Sequence, residues 1–210
     1  MGNITVTSVT VGKLATNCWF LVNEDSKEAL AFDPGDEVPR IKKKADDNGW
    51  TIRAIVLTHG HMDHIGGVEE LKNLTDARVY ALEEERDFLE DSKKNLSVFI
   101  GGRSVKLTVD ELLHDGQELT LSGITLKVLH TPGHTPGGAS YYCEQAGCVF
   151  AGDTLFEESV GRSDFPGGSS SALIRSIREK LFLLPDETRV CPGHGAETTI
   201  GHEKQYNPFL

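Results

Sequence analysis

The stretch Thr58-His59-Gly60-His61-Met62-Asp63-His64 holds three of the eight histidines of the chain and an aspartate within six residues. It follows residues 52–57, an almost unbroken apolar run typical of a strand that is covered on both faces. After it, apolar residues recur at three-residue steps from Ile65, which is typical of a helix. The sequence therefore places four ligand-type side chains at the carboxyl end of a buried strand, where α/β proteins bind ligands.

These residue types in this spacing predict a metal site. Neutral imidazoles and carboxylates are ligands of zinc, iron and manganese, and a bound metal holds packed histidines deprotonated. The i, i+2 spacing directs His59 and His61 to the same side of an extended segment, unlike the helical pair of an HExxH motif. As an alternative, Asp63 would only cap the following helix. Packing alone does not explain four ligand-type residues within six positions.

Three more candidate ligands follow strands in turns rich in glycine and proline. They are His134 in Thr-Pro-Gly-His-Thr-Pro-Gly-Gly, Asp153 in Phe-Ala-Gly-Asp-Thr and His194 in Cys-Pro-Gly-His-Gly. Taken singly, Asp153 also fits an Asx turn and His194 a surface loop. His130 precedes Thr-Pro-Gly as His134 does, and spacing alone does not choose between the two histidines.

Length and charge restrict the class of protein. The 210 residues favour one domain spanning residues 1–210. The formal net charge of -11 argues against binding to nucleic acid or to anionic lipid, both of which need excess Lys and Arg. The sequence offers no long apolar membrane span and no signal peptide, so a cytoplasmic protein is expected. The four cysteines form no CxxC pair and are expected to be buried or free thiols.

Hydrophobic patterning predicts more strands than helices. Strands are predicted over residues 4–11, 18–23, 29–33, 52–57, 78–82, 98–107, 117–129, 139–143, 148–151 and 189–191. Helices are predicted over 37–48, from 65 onward, within 83–95, over 172–184 with Ser170 or Ser171 as cap, and over 197–206. Because helices fall between runs of strands, the pattern indicates a layered α/β arrangement of two sheets with outer helices.

The His59-x-His61-x-Asp63-His64 run and the three downstream turns resemble the metallo-β-lactamase superfamily, from Phe32-Asp33-Pro34-Gly35 to the end of the chain. The stretch Gly161-Arg162-Ser163-Asp164-Phe165-Pro166-Gly167-Gly168 and the tail Glu203…Asn207-Pro208-Phe209-Leu210 are similar to its short glyoxalase II-like hydrolases, the hydroxyacylglutathione hydrolase-like members. The resemblance implies a four-layer αββα sandwich.

The resemblance also implies which residues bind two divalent metal ions. It places the first metal on His59, His61 and His134, the second on Asp63, His64 and His194, and Asp153 between both. It thereby favours His134 over His130 and leaves His114 and His202 without a ligand role. Asp33 is implied to orient ligands, its alternative being a strand-ending turn. Zinc is the expected metal, with iron and manganese as alternatives.

Two such metals imply hydrolysis by a bridging hydroxide, because they lower the pKa of bound water towards about 7. Asp63 and Asp153 are the catalytic candidates, with Asp63 as a candidate proton donor. A thiolate, whose conjugate acid has a pKa of about 8.5, leaves without obligatory protonation, which favours a small thioester of the S-2-hydroxyacyl-glutathione type as substrate. Arg162 is expected to hold a substrate carboxylate, the alternative being that it pairs with Asp164.

The same residues are compatible with other activities. A persulfide dioxygenase, which resembles this chain in the same motif, would hold one iron on His59, His134 and Asp153. A β-lactamase or lactonase of the same superfamily is a further alternative. A metal-binding module without activity is disfavoured because it would need coordinatively saturated metals. The sequence does not indicate an oligomeric state.

Overall fold

The first half of the chain forms a six-stranded sheet. The structure is a computed structural model that describes residues 3–100, 102 and 104–210. In sheet order the strands are β1 (Ile4–Val11), β2 (Thr16–Asn23), β3 (Glu28–Phe32), β4 (Thr51–Val56), β5 (Arg78–Leu82) and β6 (Glu111–Leu113). The first three are antiparallel neighbours, and β3 to β6 run parallel.

Helices cover the outer face of this sheet. The helices of this half are α1 (Val38–Asp47), α2 (Met62–Ile65), α3 (Val68–Thr75), α4 (Arg86–Glu90) and α5 (Ser97–Ile100). On α1 the buried residues are Val38, Ile41 and Ala45, which share one face at helical spacing. They join Phe20 and Ile55 of the sheet in one apolar cluster. Burial of this stripe, more than helix propensity, stabilises helices of this length.

The second half forms another six-stranded sheet and a small hairpin. Its elements are β7 (Glu118–Leu121), β8 (Ile124–His130), β9 (Ala139–Cys143), β10 (Cys148–Gly152), β11 (Leu155–Phe156), β12 (Ser159–Val160), α6 (Ser170–Glu179), β13 (Arg189–Pro192), β14 (Thr198–Thr199) and α7 (Ile200–Tyr206). The sheet order is β14-β13-β10-β9-β8-β7, and β11 pairs with β12 apart from it. Strands β10 and β13 are parallel, so their carboxyl ends meet at one edge.

Two further apolar clusters complete the layers. Between the sheets, the rings of Phe32 and Phe150 stack with centroids 3.9 Å apart, and Tyr141 lies fully buried beside them. On the far side of the second sheet, Leu173 and Ile177 of α6 join its outward-facing residues in another cluster. The order of layers is helix, sheet, sheet, helix, which confirms the predicted αββα sandwich.

The strand predicted over residues 98–107 is wrong. Ser97–Ile100 is helix α5, the described residues from 104 to 109 form no strand, and residues 101 and 103 lie outside the described part. Side chains take over the backbone groups there: Asn95 accepts from Ser97 N and donates to Val105 O, and Ser97 Oγ accepts from Val105 N. Such local bonds compete with strand pairing. The edge strand β6 was not predicted.

The predicted caps of α6 are also wrong. Ser169, not Ser170 or Ser171, has the extended backbone of an N-cap, and its Oγ accepts from Ala172 N. The helix ends at Glu179, and a separate turn of 3-10 helix, Leu181–Leu183, fills the rest of the predicted span.

The four cysteines are all free and buried, in agreement with the sequence. Cys143 and Cys148 are direct partners on β9 and β10. Among the described residues, no helix has the length and apolar character needed to cross a membrane.

Candidate metal centre

The seven predicted ligands converge at one edge of the two sheets. His59 and His61 follow β4, Asp63 and His64 lie in α2, His134 lies between β8 and β9, Asp153 follows β10 and His194 follows β13. Most of them therefore come directly after the carboxyl end of a strand, as the sequence predicts.

A glycine allows two of these strand ends to approach closely. A Cβ at Gly193, which precedes His194, would lie 2.2 Å from Asp153 Oδ1 and 2.7 Å from His64 Cε1. Only glycine leaves space for both ligands at this point. The close packing of the ligands thus explains why glycine precedes His194 in the Pro-Gly-His motif.

The first group of ligands is formed by three buried histidines. His59, His61 and His134 each offer a nitrogen, and these atoms lie within 4.8 Å of one another. His61 Nδ1 is 2.8 Å from His134 Nε2. The buried Nε2 atoms of His59 and His61 have no hydrogen-bond partner among the described residues. Because a buried polar atom without a partner is costly, this arrangement fits a bound cation.

The second group consists of Asp63, His64 and His194, whose ligand atoms also lie within 4.8 Å of one another. His194 Nε2 is 3.2 Å and His64 Nε2 is 3.5 Å from Asp63 Oδ2. The donor set of one carboxylate and two imidazoles suits a second divalent cation.

Asp153 lies between the two groups. Its Oδ2 is 3.5 Å from His134 Nε2 of the first group and 3.5 Å from His194 Nε2 of the second. Its Oδ1 is 3.4 Å from His64 Nε2. A single carboxylate thus reaches both groups, which is the position that the resemblance implies for a bridging ligand.

Hydrogen bonds at the far ring nitrogen orient three of the histidines. They join Nδ1 of His64 to Asp33 Oδ2 (2.9 Å), of His134 to Arg162 O (2.7 Å) and of His194 to Leu14 O (3.1 Å). An oxygen acceptor at Nδ1 places the proton there and leaves the Nε2 lone pair directed at the centre. These tautomers follow from the hydrogen-bond network.

Asp33, directly after β3, is hydrogen-bonded to the motif that follows β4. Its Oδ1 accepts from Thr58 N at 2.8 Å, and its Oδ2 accepts from Thr58 Oγ1 at 2.6 Å and contacts His64. Its backbone φ is +51°, a left-handed conformation that aspartate and asparagine tolerate better than most residues. Asp33 is therefore placed to orient ligands, as the resemblance implies.

The charges of the centre separate the histidines into two kinds. Burial, together with the neighbouring histidine His134, lowers the pKa of His61 to about 3. Burial likewise lowers the pKa of His59 well below its usual range. Although burial also lowers the pKa of His64, the carboxylates around it, Asp63 first, raise that pKa well above its usual range. His59 and His61 are thus neutral donors, and the carboxylates around His64 favour positive charge on that side of the centre.

Glu85, which is 1 % exposed, is a further residue of the site that the sequence does not reveal. Its carboxylate accepts hydrogen bonds from Gly60 N, Thr135 Oγ1 and Gly137 N. Burial raises the pKa of Glu85 to about 8, although these three bonds lower it. In the sequence it ends the run Glu83-Glu84-Glu85, which is typical of a solvated helix end, and no signal in that run marks its burial.

Arg162 lies beside the centre but is already paired. Its guanidinium forms two hydrogen bonds with Asp164, of 3.0 and 2.8 Å, and lies 4.2 Å from the centroid of the Phe165 ring. Pairing of Arg162 with Asp164 is the alternative that the sequence leaves open. Binding of a substrate carboxylate by Arg162 stays a prediction.

The remaining histidines lie outside the ligand groups. His130 donates from Nε2 to Pro136 O at 2.8 Å, so the tandem repeat contributes only His134 to the centre. His114 lies 3.2 Å from Glu83, and His202 lies 3.2 Å from Glu158. Neither of the last two belongs to a ligand group of the described residues.

A cavity of about 570 Å³ opens onto the ligands. The ligands that line it are His61, Asp63, His134, Asp153 and His194, and most of the remaining lining, here called its walls, is apolar. The apolar wall residues are Leu14, Leu96, Phe156, Val160 and Phe165. A small organic substrate fits this arrangement of apolar walls and a few convergent polar groups.

Known proteins share this fold and this site region. The profile of the metallo-beta-lactamase superfamily matches residues 11–194. "Probable metallo-hydrolase YqgX" of Bacillus subtilis is 41% identical over 201 residues, covering 95% of this chain and 94% of that protein. "Hydroxyacylglutathione hydrolase GloC" of Haemophilus influenzae is 36% identical, covering 99% of this chain and 98% of that protein.

Solved structures agree with these matches. The crystal structure of the B3 metallo-beta-lactamase BLEG-1 superposes with a TM-score of 0.93 at 40% identity, over 98% of this chain and 99% of that one. The crystal structure of TTHA1623 in a di-iron-bound form gives a TM-score of 0.86 at 37% identity, over 98% of this chain and 100% of that one. The chain belongs to the metallo-beta-lactamase superfamily.

Proposed function

We propose that this protein is a two-metal hydrolase that cleaves a small thioester, with S-2-hydroxyacyl-glutathione compounds as the first substrates to test. The observation that carries the proposal is the position of Asp153 between two complete groups of ligands. Further support comes from the relative named as a hydroxyacylglutathione hydrolase, whose length this chain covers almost entirely. Metal ions bound by these residues would supply Lewis acidity and would make bound water acidic enough to attack at neutral pH.

The side chains around the centre have distinct roles in this proposal. Asp153 keeps the two ligand groups together. Asp63 lines the cavity, and Thr16 Oγ1 donates to its Oδ2 at 3.1 Å. Burial raises the pKa of this carboxyl, but His64 and His194 lower it well below its usual range, so Asp63 serves as an ionised ligand and not as the proton donor expected from the sequence. The apolar lining of the cavity keeps water away from the bound substrate and strengthens electrostatic interactions at the ligands.

Metal analysis joined to a thioester panel tests the proposal. We expect purified protein, reconstituted anaerobically with zinc or with iron, to hold two metals per chain and to cleave thioesters without consuming oxygen. One iron per chain with oxygen consumption would instead indicate the persulfide dioxygenase. Cleavage of lactams or lactones in preference to every thioester would indicate one of the other hydrolases.

The role proposed for Arg162 predicts a difference in KM between two substrates. We expect Arg162→Ala to raise KM about tenfold for a thioester that carries a carboxylate, because a charge-assisted hydrogen bond is lost. For a neutral thioester with the same acyl group, we expect less than a twofold change. Steady-state kinetics on the two substrates measures this. Equal effects on both would mean that Arg162 only fixes its loop through Asp164.

A further inference from the structure

One buried carboxylate joins the two loops that supply the first ligand group. Glu85 ends a turn of 3-10 helix, Glu83–Glu85, directly after β5. Its Oε1 accepts from Gly60 N at 2.7 Å, and its Oε2 accepts from Gly137 N at 2.8 Å and from Thr135 Oγ1 at 3.0 Å. Gly60 lies between two ligands, and Thr135 directly follows another.

The loops are packed tightly around this carboxylate. A Cβ at Gly137 would lie 2.1 Å from Glu85 N, and one at Gly60 would lie 3.2 Å from Glu85 Oε1. Only glycine therefore fits at position 137 against the Glu85 backbone, and Gly60 lies close to the Glu85 carboxylate. A hydrogen-bond network that is buried and fully satisfied holds its members rigidly.

The contacts of Glu85 concern one ligand group only. Its three hydrogen bonds fix the loop of His59 and His61 against the loop of His134. The second group is fixed from elsewhere: Asp33 holds His64, and the carbonyl of Leu14 holds His194. Asp33 also accepts hydrogen bonds from Thr58, which contacts His59, so among these contacts those of Glu85 alone are confined to the first group.

We propose that Glu85 is a positioning residue that sets the geometry of the His59–His61–His134 group and thereby its affinity for a metal ion. It acts through the loops and touches neither metal nor substrate. The inference rests on the proposed two-metal function for its biological meaning. Its test measures metal binding and is independent of the substrate.

Glu85→Gln is the variant of choice. In either protonation state of Glu85, each of its oxygens accepts a backbone N–H. The amide nitrogen of glutamine cannot accept, so one buried N–H loses its partner whichever way the amide is turned. Loss of a supporting hydrogen bond of this kind costs about 10- to 100-fold in metal affinity. Glu84→Gln, an exposed neighbour in the same turn, is the matched control.

The affinity is measured by titrating Zn²⁺ against a competing chelator in two backgrounds. With His194→Ala disabling the second group, we expect Glu85→Gln to weaken binding about 10- to 100-fold. With His61→Ala disabling the first group, we expect less than a twofold change. A similar loss in both backgrounds, or no loss in either, overturns the proposal.

A milder variant covers the case in which Glu85→Gln fails to fold. Thr135→Val removes one donor and keeps the size of the side chain, so we expect a smaller loss, confined to the first group. Thr135→Ser retains the hydroxyl and should bind as the unaltered protein does. If Thr135→Val affects both groups equally, the proposal is wrong. If metal binding behaves as expected but no thioester is cleaved, only the proposed function fails.

Discussion

Asp153→Ala is expected to lose metal and more than 99% of the hydrolytic activity. Asp153 is the single carboxylate within 3.5 Å of nitrogens from both ligand groups among the described residues. Without it, the centre loses the ligand common to both groups. It also loses a negative charge that offsets the charge of two dications. Loss of a residue that only supports a ligand costs about 10- to 100-fold, and loss of the shared ligand costs more.

Metal content by elemental analysis and kcat/KM on the best thioester measure this effect. Asp164→Ala is the control, because Asp164 is an exposed aspartate of the neighbouring loop that contacts Arg162 and no ligand. It should retain two metals. His59→Ala should resemble Asp153→Ala in losing metal and activity. An Asp153→Ala protein with two metals and full turnover refutes the ligand assignment.

Asp33→Asn is expected to weaken metal binding at the second group about 10- to 100-fold. Asparagine keeps the shape and tolerates the positive φ at this position, so the backbone stays as it is. In asparagine, however, an amide nitrogen that cannot accept replaces one of the two carboxylate oxygens. Both Thr58 Oγ1 and His64 Nδ1 direct hydrogens at Oδ2, so when the amide nitrogen takes that position the orientation of His64 is lost.

Zinc titration against a chelator measures the loss. Asp76→Asn is a matched control, since Asp76 also has a positive φ, of 56°, but lies at the end of α3. It should bind zinc normally. Unchanged affinity in Asp33→Asn would show that Asp33 only ends the strand, which is the other interpretation of the Asp-Pro-Gly element.

The sequence allowed prediction of the ligands because the signal is local. His59, His61, Asp63 and His64 are close along the chain, and Asp153 and His194 share the same context of a strand followed by glycine. Alternating and continuous apolar runs likewise located β1 and β5 with their observed bounds. Such patterns record which face of an element is buried, and that is what determines the order of layers.

The features that the sequence did not reveal depend on contacts between distant segments. Glu85 meets Gly60 and Gly137 only after the two halves fold together, and nothing beside it in the chain reports its burial. Tertiary contacts of this kind are not recorded in local propensity. Helix α5 is a different case, because local bonds from the side chains of Asn95 and Ser97 replace the strand pairing that the apolar residues there favour.

Anomalous X-ray diffraction from crystals grown with zinc tests the central claim most directly. We predict two peaks at the edge of the sheets, about 3.5–4 Å apart, one contacted by His59, His61 and His134 and the other by Asp63, His64 and His194, with Asp153 touching both. A single peak, or peaks away from these seven side chains, would contradict the account.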